Sequence, residues 1–175
     1  MSFPVTFEEV LRARRVQQGH LSPTPLRRYA LLDEAIGAEV WVKHENHNPT
    51  NTFKPRGGLY LMSRLPLDER RRGVVTATRG NHGQSLAWAG RIFDVPVTVV
   101  MMESSRPNKV AMTRYYGAQI VFCAPDHASR EVALERLLAE TGHLRVHPYD
   151  DGYTIRGNGS LGFELLEEIP AVAAV

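Results

Sequence analysis

The 175-residue chain carries 43% hydrophobic and 23% charged residues and a formal charge of only +2, ordinary figures for a globular protein that exclude a disordered or fibrous one. Its length suits one core-forming domain of roughly 100–200 residues, and its scattered arginines leave no electrostatic footprint for nucleic acid or an acidic membrane. A lone cysteine, Cys123, excludes an internal disulfide and a multi-cysteine zinc site. With no apolar run near the roughly 18 residues of a membrane span and no basic-then-apolar leader, a cytoplasmic location is expected.

Thr6 and Glu9 have capping-box spacing, and Val10, Leu11, Ala13 and Val16 can form an apolar face, which predicts a first helix over about 6–18. Pro23 and Pro25 make Leu21 to Leu26 an extended connector, followed by a short helix from Tyr29 to Ile36 that ends at Gly37. Val40 and Val42 alternate with Trp41 and Lys43, so Glu39 to His44 reads as a strand and Glu45 to Thr52 as a polar loop. Pro55 suits the first turn of a helix, leaving Lys54 as its N-terminal flank. The chain then alternates: strand Val74 to Thr78, helix Asn81 to Phe93, strand Val97 to Met101, helix Pro107 to Tyr116, strand Gln119 to Phe122, helix His127 to Thr141. Gly117 and Gly142 stand where helices should end. A strand-like Leu144 to His147, an acidic loop and a last helix over about Ser160 to Glu168 follow. The apolar run Ala171 to Val175 reads either as a short edge strand or as a chain stopping in mid-domain. The expected class is α/β, with an open twisted, mostly parallel sheet and helices on both faces.

Two segments could carry chemistry. At Lys54, unpaired helix N–H groups, the helix dipole and nearby Arg56 would disfavour a protonated amine and lower its pKa, as an imine-forming lysine requires. The competing reading is a solvated lysine beside a helix start. Thr78, Arg79, Gly80, Asn81 and His82 form a strand-to-helix loop at the carboxyl edge of the sheet. Open α/β sheets bind ligands there, and free N–H groups can meet a carboxylate or phosphate. Gly80 permits close backbone approach, Asn81 can donate or accept, and His82 can do either or simply cap the helix.

Thr52-Phe53-Lys54-Pro55-Arg56-Gly57, Thr78-Arg79-Gly80-Asn81-His82 and the earlier Thr24-Pro25-Leu26 resemble, in order and spacing, three motifs of one enzyme family. It is that of the pyridoxal-phosphate enzymes of the tryptophan-synthase-β fold type, and the resemblance is closest to the threonine/serine dehydratase and serine racemase branch. The resemblance implies pyridoxal 5'-phosphate as cofactor and Lys54 as the catalytic lysine that holds it, with Phe53 beside its ring and Asn81 on its 3-hydroxyl. It places Thr78, Arg79, Gly80, Asn81 and His82 around the substrate carboxylate. The implied reaction is β-elimination from a hydroxy amino acid such as threonine or serine, giving a 2-keto acid and ammonia. Residues 1–50 and 151–175 would belong to a large domain, and residues 51–150 would form the small domain carrying the lysine and the substrate loop. Because family members are about twice as long, the glycine-rich phosphate loop is expected beyond Val175. A homo-oligomer or a complementary C-terminal half is the expected partner, and full activity of this chain alone is not expected.

Arg79 departs from the branch, which shows Ser or Ala there and uses Ser for the second proton transfer in racemases. Racemisation is therefore disfavoured, and Arg79 either pairs with an acidic side chain such as that of 3-hydroxyaspartate or points into solvent. Gly157-Asn158-Gly159-Ser160-Leu161-Gly162 fits the dinucleotide pattern G-x-G-x-x-G. It comes too late for the acidic ribose ligand about twenty residues on, and is read as a helix-start turn. A dinucleotide-binding domain and a non-catalytic folded fragment or partner module are the alternatives to the enzyme. The remaining histidines have no metal-ligand spacing, and Asp94, Asp126, Asp150 and Asp151 suit turns.

Overall fold

A computed structural model describes residues 5–175. Helix α1 (Phe7–Gln17) opens at Thr6, whose hydroxyl accepts from Glu9 N while its own N–H donates to the Glu9 carboxylate, a complete capping box. Strand β1 (Leu26–Arg28), helix α2 (Ala30–Ile36) and strand β2 (Trp41–Lys43) follow, with β1 and β2 paired antiparallel. A 3-10 turn at Glu45–His47 leads to α3 (Pro55–Arg64) and α4 (Leu67–Arg72). Neither β1 nor α4 was expected: three residues are too few to show periodicity, and the sequence of α4, LDERRR, has one apolar residue and buries none.

The rest of the chain is β3 (Val74–Ala77), α5 (Asn81–Phe93), β4 (Val97–Met102), α6 (Pro107–Tyr115), β5 (Gln119–Cys123), α7 (His127–Thr141), β6 (Leu144–Arg145) and α8 (Gly152–Glu168). The four strands form one parallel sheet in the order β5-β4-β3-β6. The chain moves outward from β3 to β5 through α5 and α6, then returns through α7 to the other side of β3. Right-handed crossovers that run in opposite directions lie on opposite faces, and the side chains show it. Val74, Val97, Val99 and Met101 pack with Leu59, Met62 and Leu86 of α3 and α5. Val75, Ala77, Val100 and Met102 pack with Leu134 and Leu137 of α7 on the opposite face. With both faces covered, β3 and β4 are buried at every residue. Reversal of direction between β3 and β6 leaves a crevice beyond their carboxyl ends, the usual place for a ligand.

Helix α8 corrects the sequence reading. It starts at Gly152 rather than Ser160, opened by Asp151, whose carboxylate accepts from Thr154 N at 2.7 Å. Gly157 to Gly162 therefore lie inside a helix, and the pattern is neither a helix-start turn nor a dinucleotide loop. A Cβ at Gly157 would lie 2.5 Å from the carbonyl oxygen of Arg56 and 2.7 Å from the Cα of Gly57. The glycine is there because α3 and α8 cross backbone to backbone. Residues 171–175 form no strand, and Val175 is 99% exposed. No helix of the described residues is long and apolar enough to cross a membrane.

Candidate active site

Lys54 is the N-cap of α3, immediately before Pro55. Its carbonyl accepts from Ser85 Oγ on α5 at 2.7 Å, which fixes the start of the helix against the neighbouring one. Its amine donates to the carbonyl of Pro148 at 3.0 Å and stands 4.6 Å from the ring centroid of Tyr149 and 5.1 Å from that of Phe53. No carboxylate among the described residues pairs with it within 4.0 Å. Burial of the amine lowers its pKa below the ordinary lysine value. The cause differs from the sequence expectation, because Arg56 contributes nothing to the shift. Its guanidinium turns away from the amine and is neutralised by Glu45 and Glu164.

The loop after β3 meets Lys54 from the other side. Gly80 has φ +145°, and a side chain there would run into Lys109, its Cβ lying 2.7 Å from that of the lysine. Gly80 N donates to the Thr78 hydroxyl at 3.2 Å, and Asn81 begins α5 with its side chain exposed. His82 is only 2% exposed, and neither ring nitrogen has a hydrogen-bond partner. Burial, then the charges of Lys54 and His147, push its pKa down to about 3, so the ring is neutral across the ordinary pH range. An unsatisfied pair of buried nitrogens is costly, and beside a cleft it makes His82 a candidate ligand contact.

That cleft has a volume of about 900 Å³ and lies at the carboxyl edge of the sheet, lined by Lys54, by Thr78 to His82 and by Arg145 to Tyr149. Six Lys and Arg side chains face it against a single carboxylate, Glu131, so it suits anions. The structure brings Lys54, Thr78, Arg79, Gly80, Asn81 and His82 together around one space. Phe53 is not part of the lining, although its ring is near the Lys54 amine. Arg79 is exposed at the rim with no ion-pair partner among the described residues.

Sequence reasoning missed the loop after β6. There His147 Nδ1 accepts from the N–H groups of Tyr149 and Asp150 at 3.2 and 2.8 Å, presenting the Pro148 carbonyl and the Tyr149 ring to Lys54. It also missed Arg130, whose Nη2 is 2.8 Å from His127 Nδ1 and whose buried Nε has no partner. The rule that singled out the loop after β3, that ligands meet the carboxyl ends of strands, would have found both had it been applied to β5 and β6.

Residues 17–175 match the family described as pyridoxal-phosphate dependent enzyme. The chain is 36% identical over 171 residues to the L-threonine ammonia-lyase of Thermotoga maritima, covering 98% of this chain and 43% of that one. It is 35% identical over 170 residues to the beta-hydroxyaspartate dehydratase of Paracoccus denitrificans, covering 97% and 54%. Among solved structures, maize serine racemase superposes with a TM-score of 0.91 at 28% identity, over 97% of this chain and 52% of the other. The chain thus spans about half the length of the curated relatives it matches.

Proposed function

The chain belongs to the pyridoxal-phosphate-dependent enzyme family, and on that footing we propose that it supplies the cofactor lysine and the substrate loop of a β-eliminating ammonia-lyase for small hydroxy amino acids. One observation carries the reading: the Lys54 amine, with no carboxylate partner among the described residues, shares a cationic cleft with His82, whose buried ring nitrogens are unsatisfied. These residues fit an aldehyde cofactor with an anionic arm. Lys54 would hold its aldehyde carbon, Asn81 would meet its 3-hydroxyl and Phe53 would stand near its ring.

When bound, pyridoxal phosphate supplies the electron sink that makes the α-proton of an amino acid removable. The protein supplies the base and the orientation. Burial that disfavours the charged amine would leave a free Lys54 amine able to take the α-proton of a bound substrate. The Pro148 carbonyl, 3.0 Å from the amine, would orient it. The N–H groups of the Thr78 to His82 loop and the N-terminus of α5 receive the substrate carboxylate. His82, neutral at working pH, gives a hydrogen bond without adding charge. The α-proton and the β-hydroxyl would leave together as water, and uptake of water by the released product with loss of ammonia would give the 2-keto acid.

Arg79 favours an acidic side chain on the substrate, because an exposed guanidinium at the rim of the cleft offers a fork to a second carboxylate. A guanidinium there is also a poor proton exchanger, which speaks against racemisation. The dehydratase and the ammonia-lyase among the relatives are consistent with elimination, and a complementary C-terminal half or a second copy is the proposed partner that completes the site.

The test is the absorbance of the lysine-linked cofactor, before and after borohydride reduction, in the wild type and in Lys54→Ala, with ammonia release from threonine, serine and 3-hydroxyaspartate assayed in parallel. Absorbance present in the wild type and absent in Lys54→Ala is expected. Equal absorbance in both would remove Lys54 from its role. With the partner that completes the site present, Arg79→Ala is expected to lower turnover of hydroxyaspartate relative to threonine, and an unchanged ratio would refute that part.

A further inference from the structure

The densest concentration of charge in the interior lies behind Lys54 rather than in the cleft. Arg56 is 2% exposed and donates from Nε and Nη2 to Glu45 at 2.7 and 2.8 Å, and from Nη1 and Nη2 to Glu164 at 2.7 and 2.9 Å. Both carboxylates are themselves held. Glu45 accepts from the Thr24 hydroxyl at 2.6 Å and from Asn48 at 2.8 Å, and Glu164 lies 3.0 Å from the Lys43 ammonium. Burial works against the Glu164 carboxylate, but hydrogen bonds from Arg56 and Lys43 outweigh it and hold its pKa below the ordinary value.

The backbone of the same turn is gripped as well. Ser85 donates to the Lys54 carbonyl at 2.7 Å, Gln17 donates to the Arg56 carbonyl at 2.8 Å, and Gly57 N donates to Asn158 at 3.0 Å. Side chains from α1, α5, α8 and the 3-10 turn therefore converge on the first turn of α3. Stability alone does not account for such a cluster, since apolar packing commonly matches or exceeds a buried ion pair. A planar guanidinium forked to two carboxylates does fix position and orientation.

We infer that the Glu45, Arg56 and Glu164 cluster is a positioning device for Lys54, setting the first turn of α3 so that the amine stays in the desolvated mouth of the cleft beside the Pro148 carbonyl. The inference rests on Lys54 being the reactive lysine. Arg56 touches no reacting atom. It acts through the helix turn, and loosening it lets the flexible lysine stem swing towards water.

The sequence contains three lysines, Lys43, Lys54 and Lys109, which allows a direct test on the whole chain. Each is labelled with pyridoxal, lacking the phosphate, trapped with borohydride and quantified by peptide mass spectrometry between pH 6 and 10, in the wild type, Glu164→Gln and Arg56→Gln, neither of which adds an amine. In the variants the midpoint for Lys54 is expected to rise by about half a pH unit or more, a roughly threefold loss of labelling at pH 7.5 relative to Lys109. Lys43, sealed in the cluster, stays protected. An unchanged Lys54 profile in both variants overturns the inference. So does a variant in which Lys43 becomes labelled together with loss of far-ultraviolet circular dichroism, because the cluster would then merely hold the fold. Cofactor absorbance that survives Lys54→Ala would defeat the proposed function yet leave the shift in the labelling profile standing.

Discussion

His82 makes the structure answerable to a titration. An unfolded chain gives histidine a pKa of about 6.5, whereas the fold holds His82 at about 3. Above pH 6.5 both states are neutral and its contribution to stability is complete. Below pH 6.5 the unfolded chain binds a proton that the folded chain refuses, so stability falls by about 1.4 kcal/mol per pH unit until about pH 3. Integrated from pH 7 to pH 5, the loss is about 2 kcal/mol from this one side chain. His82→Gln removes the titration and keeps a polar side chain in the pocket. Urea unfolding followed by circular dichroism at pH 7 and pH 5 gives the comparison, and the six other histidines cancel in the difference between the two proteins. The stability of His82→Gln relative to wild type should rise by about 2 kcal/mol on going from pH 7 to pH 5. Parallel pH dependences would show that His82 titrates normally, and the neutral hydrogen-bond role assigned to it would have to be abandoned.

Three further outcomes follow from particular contacts. Gly157→Ala drives a Cβ into backbone atoms of α3 at 2.5 and 2.7 Å, and should cost about 1–3 kcal/mol in urea midpoint measurements despite the better helix former; a gain in stability would contradict the close crossing. Asp151→Ala removes the cap of α8 and should cost about 1 kcal/mol, with faster hydrogen exchange in the first turn of that helix and unchanged exchange in β3. Thr76→Val deletes a fully buried hydrogen bond to the Val146 carbonyl at 2.8 Å. It should lower stability in thermal denaturation by about 1 kcal/mol, and a neutral effect would mean that the carbonyl finds another donor.

The parallel sheet was readable because its determinants are local. Val74 to Ala77 and Val97 to Met102 are largely apolar runs of strand length, the capping box of Thr6 and Glu9 sits where a helix begins, and Gly142 sits where one ends, whereas Asp126, read as a turn residue, proves to be a helix cap. Boundaries of α5 and α7 fell where the pattern put them. α8 was misjudged because its glycines argue against helix in isolation, while the approach to α3 that they permit is a tertiary fact. The site divided in the same way. The Lys54 and Thr78 to His82 segments announce themselves as motifs, whereas the partner of Arg56 lies 108 residues away at Glu164. The Pro148 carbonyl that holds the amine is a backbone atom, with no side-chain signature to read.

The separation of those grips along the chain bears on the order of assembly. β3 to β4 and β4 to β5 each pair across a single intervening helix, but the bonds that seat the lysine join residues as much as 108 positions apart, as from Arg56 to Glu164. Closing long loops costs entropy before any contact repays it, so non-local pairings form late. During synthesis from the N-terminus, Lys54 emerges early yet waits for Glu164 before its turn is clamped. Pulse-labelled hydrogen exchange should accordingly protect the amides of β3 and β4 ahead of Gly57 N, leaving a sheet that exists before the Lys54 amine has been put in place.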